Sequence, residues 1–569
     1  MQSIKGYSAL LKILIKDKLR TGTFFGFKRS DSAKKKSKAT KILTVIGIAF
    51  LIILLSSYLV MFVLGGSIAS LEMGLQNEFL MLLIVMSQLV VFFFGISAVM
   101  GYLYFSKDNS LLSTLPIAHK SIFLAKFSMA YIAEFVISAY FLLISFATYG
   151  IAMLSNGVAL GAEFIFVGLL CILAAPMMPL LIITFISIPV MQVVKVLKRN
   201  PLLQSIVVSA IFIGIMGLYF GALGSFMGGF SVSEEGSFTL PAGLVNGMKN
   251  LKKIFIYNAP AVDAMLGEKI LAKTFLYLAV NISGLAAAVL LSSVFYSRSI
   301  KTIIEGAGAS KEKIKITENN QSTFALSFLK KEIKTLINVP MLFMQSVMGI
   351  VMAPLMVLLL GSFNFGMGSD DSLLDKSILF SAGFTLYISS LLINATNVIS
   401  MVGFSREGKH LLVLKSLPIS AKQLVDGKLH LALLQNFIAV FLVTVTFIIR
   451  NDFNILFGLG VFATLITVSL ASSCLALQND LKNPNLNWKN ITELTKNNKK
   501  SLKPALTILL LGMVYMILGS IFAFIESISL LVSGLSFFGA CLLINVILML
   551  VYYRKLYDNP EALLNAIEG

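Results

Sequence analysis

The chain has 569 residues, 57% of them hydrophobic, with a mean hydropathy of +0.89 and only 13% charged residues. A soluble domain of this length cannot hide that much apolar surface, so the composition excludes a soluble globular protein and points to an all-α polytopic membrane protein. The formal net charge of +19 reads as basic loops gathered on one side of a bilayer rather than as a nucleic-acid surface.

In chain order, residues 7–20 are expected to form an amphipathic helix: Tyr7, Leu11, Leu14 and Ile15 share one face, and Lys12, Lys16 and Arg20 another. Basic amphipathic helices of this kind lie in the membrane interface. No cleavable signal peptide is apparent ahead of the first apolar run. A bilayer span needs roughly 20 apolar residues. Such runs fall at 41–64, 79–104, 127–153, 160–192, 201–226 and 273–296. The fourth contains Pro176, Pro179 and Pro189 and is expected to be kinked or broken. A polar stretch, 297–325, follows as a cytoplasmic linker. A second amphipathic helix is expected over 326–337, with Leu326, Leu329, Ile333 and Leu336 as its apolar stripe. Six further runs lie at 340–361, 378–403, 429–450, 454–477, 504–527 and 530–553. Placing both ends of the chain in the cytoplasm puts 39 of the 46 Lys and Arg on the inner side, and five of the other seven in the long loop 227–273.

The chain repeats itself. "LLSTLPIAHKSIFLAKF" (111–127) returns as "VLKSLPISAKQLVDGKL" (413–429), a shift of 302. Leu112, Leu115, Pro116, Ile117, Lys120 and Lys126 match Leu414, Leu417, Pro418, Ile419, Lys422 and Lys428. Both phrases fall between the second and third spans of a six-span half. The expected organisation is therefore two parallel six-helix repeats, about 12 spans in all. The first half covers 1–296, with its loop at 105–126; the second covers 326–569, with its loop at 404–428. The apolar residues of these loops either pack on their own span ends or dock a soluble partner. Two like-oriented copies suit a two-fold partner.

This layout resembles the permease subunits of ABC-2-type ATP-binding-cassette transporters, in the fused two-half form of Gram-positive bacteria. "SKDNSLLSTLPIAHKSIFLAKF" and "SREGKHLLVLKSLPISAKQLVDGKL" look like two copies of that family's coupling loop, with a tighter Leu-Pro-Ile spacing, and the pre-span amphipathic helices look like its elbow helices. The resemblance implies a multi-pass protein of the bacterial plasma membrane, an exporter, docked by two copies of a separate ATPase subunit that carries ATP and magnesium. The docking residues it implies are Leu112, Leu115, Pro116, Ile117 and Lys120, with Leu414, Leu417, Pro418, Ile419 and Lys422 in the second half.

No catalytic site is expected in this chain. "GFSREGKH" (403–410) fits G-x-x-x-x-G-K, but His410 stands where a magnesium-binding Ser or Thr belongs, and the strand–loop–helix setting is missing. No cofactor is expected. Cys171, Cys474 and Cys541 lie in apolar runs, and His119, His410 and His430 have no metal-ligand spacing. Four intramembrane polar residues are candidates for function or for interhelical bonding: Glu134, its repeat equivalent Asn436, and Asn394 with Asn397, expected on one face of the eighth span. The competing classes are a 12-helix secondary transporter and a non-transporting membrane sensor or scaffold. The substrate is not legible.

Overall fold

A computed structural model describes residues 2–21, 38–106, 108–196, scattered helical residues between 202 and 217, 242–308, 324–360, 371–395, 397–451, 454–486, 488, 494, 502–525 and 529–567. Among these residues the chain is helical and contains no strand. It divides into two compact units, residues 1–195 with 225–305 and residues 196–224 with 306–569.

In the first unit the helices are α1 (Gln2–Thr21), α2 (Lys38–Glu72), α3 (Gln76–Val99), α4 (Asp108–Thr114), α5 (His119–Ser155), α6 (Ala162–Ala174), α7 (Met177–Val196), α8 (Ala242–Ile254), α9 (Ala259–Met265) and α10 (Ile270–Gly308). In the second they are α11 (Phe324–Ile337), α12 (Pro340–Leu360), α13 (Asp371–Ala395), α14 (Val398–Met401), α15 (His410–Ser416), α16 (Ala421–Arg450), α17 (Ile455–Lys482), α18 (Leu502–Phe524), α19 (Leu530–Tyr557) and α20 (Pro560–Asn565).

The protein is an all-α, multi-pass membrane protein. Eight described helices are long and apolar enough to cross a bilayer, and a ninth span results if the pair 325–337 and 342–358, bent by 98°, counts as one. The expectation of twelve spans is met at the second, third, fourth, sixth and ninth to twelfth positions. The expected fifth span, 201–226, falls largely outside the described residues, as do residues 309–323 of the expected linker. The linker's first part is not a loop, because α10 runs on to Gly308. The eighth expected span is interrupted: α13 stops at Ala395, and Asn397 caps the short α14 by accepting a hydrogen bond from Ser400 N at 3.1 Å.

The fourth span breaks where its prolines predict. Pro176 has no N–H to donate and its ring crowds the preceding turn, so α6 ends at Ala174 and α7 begins at Met177. The carbonyl of Ala175 accepts from the Gln88 side chain of α3 at 3.3 Å. In the second unit, α13 and α18 meet backbone to backbone. A Cβ at Gly383 would lie 2.9 Å from Tyr515 O, and Gly519 faces it across the same contact. Small residues at such crossings let membrane helices approach closely.

Candidate functional site

The two Leu-Pro-Ile turns share one local build. The seven-residue helices α4 and α15 start at Asp108 and His410, and the long helices that follow start at His119 and Ala421. Both ends of the short helices and the starts of the long ones are displaced by the 302 residues that separate the two phrases. Between the helices the chain closes the same small turn twice: Ile117 N donates to Leu115 O at 2.8 Å, and Ile419 N to Leu417 O at 2.7 Å. A proline at the centre suits an i to i+2 turn, since its fixed φ lies near the required value and it has no N–H to leave unpaired. The second copy adds a capping box, Ser420 Oγ accepting from Gln423 N at 3.2 Å and Gln423 Oε1 from Ser420 N at 3.1 Å. Ala118 supplies no such cap in the first.

Of the expected docking residues, Leu115 and Leu417 are 41% and 44% exposed. Pro116, Pro418, Lys120 and Lys422 are exposed as well, and Ile117 and Ile419 are half-buried. Leu112 is buried and Leu414 half-buried, so this pair packs inward. Leu111 and Val413, outside the expected set, are the most exposed apolar residues of the two short helices at 66% and 61%.

Behind each turn lies a buried lysine, a feature the repeat shows as a matched letter but that sequence reasoning did not select. Lys126 donates to Asn109 Oδ1. Asn109 Nδ2 in turn donates to Leu103 O at 3.1 Å and Tyr104 O at 2.8 Å, the carbonyls of a π-helical turn that ends the second span. Lys428 is fully buried and answered by charge: Glu407 Oε1 at 2.9 Å and Glu332 Oε1 at 3.3 Å. Arg406 pairs with Glu332, and Lys331 bridges Glu332 at 3.0 Å and Glu407 at 2.7 Å. Burial pushes the Glu407 carboxyl up, but the charges of Lys428 and Lys331 outweigh it and hold it below the usual carboxylate range. Three cations and two carboxylates thus join α11, the loop before α15 and the start of α16. The fit is close, since a Cβ at Gly427 would overlap the Phe328 ring of α11 at 2.0 Å. The same loop is caged from α17: Phe404 N and Ser405 N donate to Asp480 Oδ2 at 2.8 and 2.9 Å, and Trp488 Nε1 donates to Ser405 O at 3.0 Å.

The intramembrane candidates separate into different environments. Asn436 and Asn397 belong together: Asn397 Nδ2 donates to Asn436 Oδ1 at 2.8 Å, and Asn436 Nδ2 donates to Ser473 Oγ at 2.9 Å. Asn394 is not part of this clamp, because the helix ends between the two asparagines and Asn394 Nδ2 turns back to Ser390 O at 2.6 Å. The shared helical face expected for Asn394 and Asn397 is thereby corrected. Glu134 is buried in the first unit. A further polar centre was not legible: Gln88, near the middle of α3, exchanges hydrogen bonds with Asn258 at 3.0 and 2.6 Å and accepts from Tyr257 OH at 3.0 Å. Residues 242–265, expected as part of a long loop, instead form two helices, and Asn258 between them is tied through Gln88 to the fourth-span break. The glutamine inside an apolar run was the only signal.

Comparison with family models, with curated proteins and with solved structures returned no match.

Proposed function

We propose that the chain is the membrane-spanning permease of an ATP-binding-cassette exporter, and that its two Leu-Pro-Ile turns each grip one subunit of a separate ATPase. The observation that carries this reading is the duplicated turn, with the same backbone bounds, the same closing hydrogen bond and an exposed leucine at the same position in both copies. An exposed leucine on a short turn is costly in water unless a partner covers it, and covering one contributes about 1.5–3 kcal/mol. Under this reading the chain forms the translocation path, the turns face the cytoplasm of a bacterial cell, and ATP with magnesium is bound and hydrolysed on the partner.

The test is co-purification with an ATP-binding-cassette ATPase subunit, should one be encoded beside this chain. Leu115→Asp and Leu417→Asp should each weaken capture roughly 10- to 100-fold, since a carboxylate adds a desolvation penalty to the lost contact. Membrane insertion should be unchanged, because neither residue lies in a span. The double variant should lose capture entirely. Retained capture and coupled ATP hydrolysis in the double variant would sink the reading and leave the turns as ordinary loop packing.

A further inference from the structure

Among the described residues, the second turn is held from a direction that the first is not. At the end of α19 the chain reverses at Asn559, which adopts the left-handed conformation with φ 54°, and Pro560 starts α20. Asparagine tolerates that conformation better than most residues, and proline is pre-set for a first helical position. The reversal lays α20 back against the second turn. Leu564 and Ile567 are buried in one apolar cluster with Leu411 of α15 and Leu424 of α16. Lys415 Nζ donates to Ile567 O at 2.9 Å, Tyr557 OH bonds Asp426, and Lys422 Nζ stands 6.0 Å from the centre of the Tyr557 ring. Two of these three anchor positions changed between the copies: Lys415 corresponds to Ser113 and Asp426 to Leu124. Neither Ser113 nor Leu124 carries the group that makes the second-copy contact.

We infer that residues 557–567 are a strut that fixes the pose of the second Leu-Pro-Ile turn and makes the two partner sites unequal: among the described residues, no corresponding segment after a last span braces the first turn. The inference rests on the docking reading above for its consequence, but its structural half stands alone. α15 is only seven residues long and cannot hold itself as a helix in isolation. Fixing it before the partner arrives removes an ordering cost from binding, which raises affinity without any new contact.

The experiment uses the full chain co-expressed with the same ATP-binding-cassette ATPase subunit as in the docking test. In a Leu115→Asp background, capture depends on the second turn, and deleting residues 558–569 should reduce it about tenfold. In a Leu417→Asp background, capture depends on the first turn, and the same deletion should change nothing. Leu564→Asp, which leaves α19 intact, should reproduce the deletion if the shortened chain fails to accumulate. Amide hydrogen exchange on the permease alone gives a second readout. Residues 411–417 should exchange faster after the deletion, and residues 109–115 should not. Equal loss of capture in both backgrounds, or unchanged exchange at 411–417, overturns the strut. If Leu115→Asp and Leu417→Asp themselves leave capture intact, the docking reading fails, while the exchange measurement still decides the strut.

Discussion

Replacing Glu332 by glutamine keeps the shape of the side chain and removes one charge from the cluster behind the second turn. Lys428, with its side chain 0% exposed, would then keep Glu407 as its remaining carboxylate, while Arg406, 2% exposed, would lose the carboxylate it pairs with. Removing one partner of a buried ion pair destabilises by about 3–5 kcal/mol. Lys428 keeps Glu407 at 2.9 Å, which places the expected loss near the lower end of that range. For a unit of this size, about 3 kcal/mol corresponds to roughly 6 °C in melting temperature. The protein carries its own probe: its single tryptophan, Trp488, donates to the carbonyl of Ser405, next to Arg406. Thermal unfolding of the detergent-purified chain, followed by Trp488 fluorescence, should show the drop. Glu332→Gln with Lys428→Met removes a cation as well and should recover at least half of it. A drop below about 2 °C, or a double variant as unstable as the sum of the singles, would refute the assignment of the cluster as a mutual charge clamp. The pH dependence has a definite sign. Burial alone would raise the Glu332 carboxyl, but Lys428, Arg406 and Lys331 outweigh it and hold it at about 2, below the ordinary 4.5. A depressed carboxylate stabilises the fold above its unfolded value and loses that contribution as pH falls toward its folded value. The melting temperature should therefore be insensitive to this group above pH 4.5 and decline between 4.5 and about 2, less steeply in Glu332→Gln.

Gln88→Leu should lower the stability of the first unit by about 2 kcal/mol, because it strands Ala175 O, Asn258 and Tyr257 in an apolar setting; a melting temperature equal to the parent's would show that these groups find other partners. In a background lacking the three native cysteines, all of them buried, single cysteines at Ser237 and Ser372 should react with an impermeant thiol reagent from outside the cell, and cysteines at Ser113 and Ser416 should not. Outside labelling at Ser113 would invert the expected orientation.

The sequence carried the apolar helices plainly, because a span is written in about twenty consecutive letters. The break at Pro176 was equally plain, since proline's missing N–H is a property of the residue itself. The Leu-Pro-Ile turns were legible because the phrase occurs twice. What hid was everything decided by a distant partner. Lys126 and Lys428 matched in the alignment, yet a lysine in a basic loop reads as solvated until Asn109 or Glu332 is placed against it. Asn394 and Asn397 were placed on one face because a continuous helix was assumed, and the helix ends between them. Residues 242–265 read as a loop because α8 is short and lysine-marked and α9 is only seven residues long, and their placement rests on distant contacts such as the bonds from Gln88.

The two buried lysines also differ in how far each reaches for its answer. Lys126 is met seventeen residues away, by Asn109 of its own loop. Lys428 is met twenty-one residues away by Glu407 and ninety-six residues away by Glu332. The first copy can therefore drift as a self-contained cassette, its lysine and its amide inherited together on one short stretch of gene. The second cannot. A change at position 428 is tolerated only alongside a change in a helix laid down before the seventh span. Transplanting residues 410–428 into the place of 108–126 would preserve every backbone bound and yet bring a buried cation into a neighbourhood without its α11 carboxylate. The two stretches share the same turn, and the partners behind it tie each copy to its own surroundings.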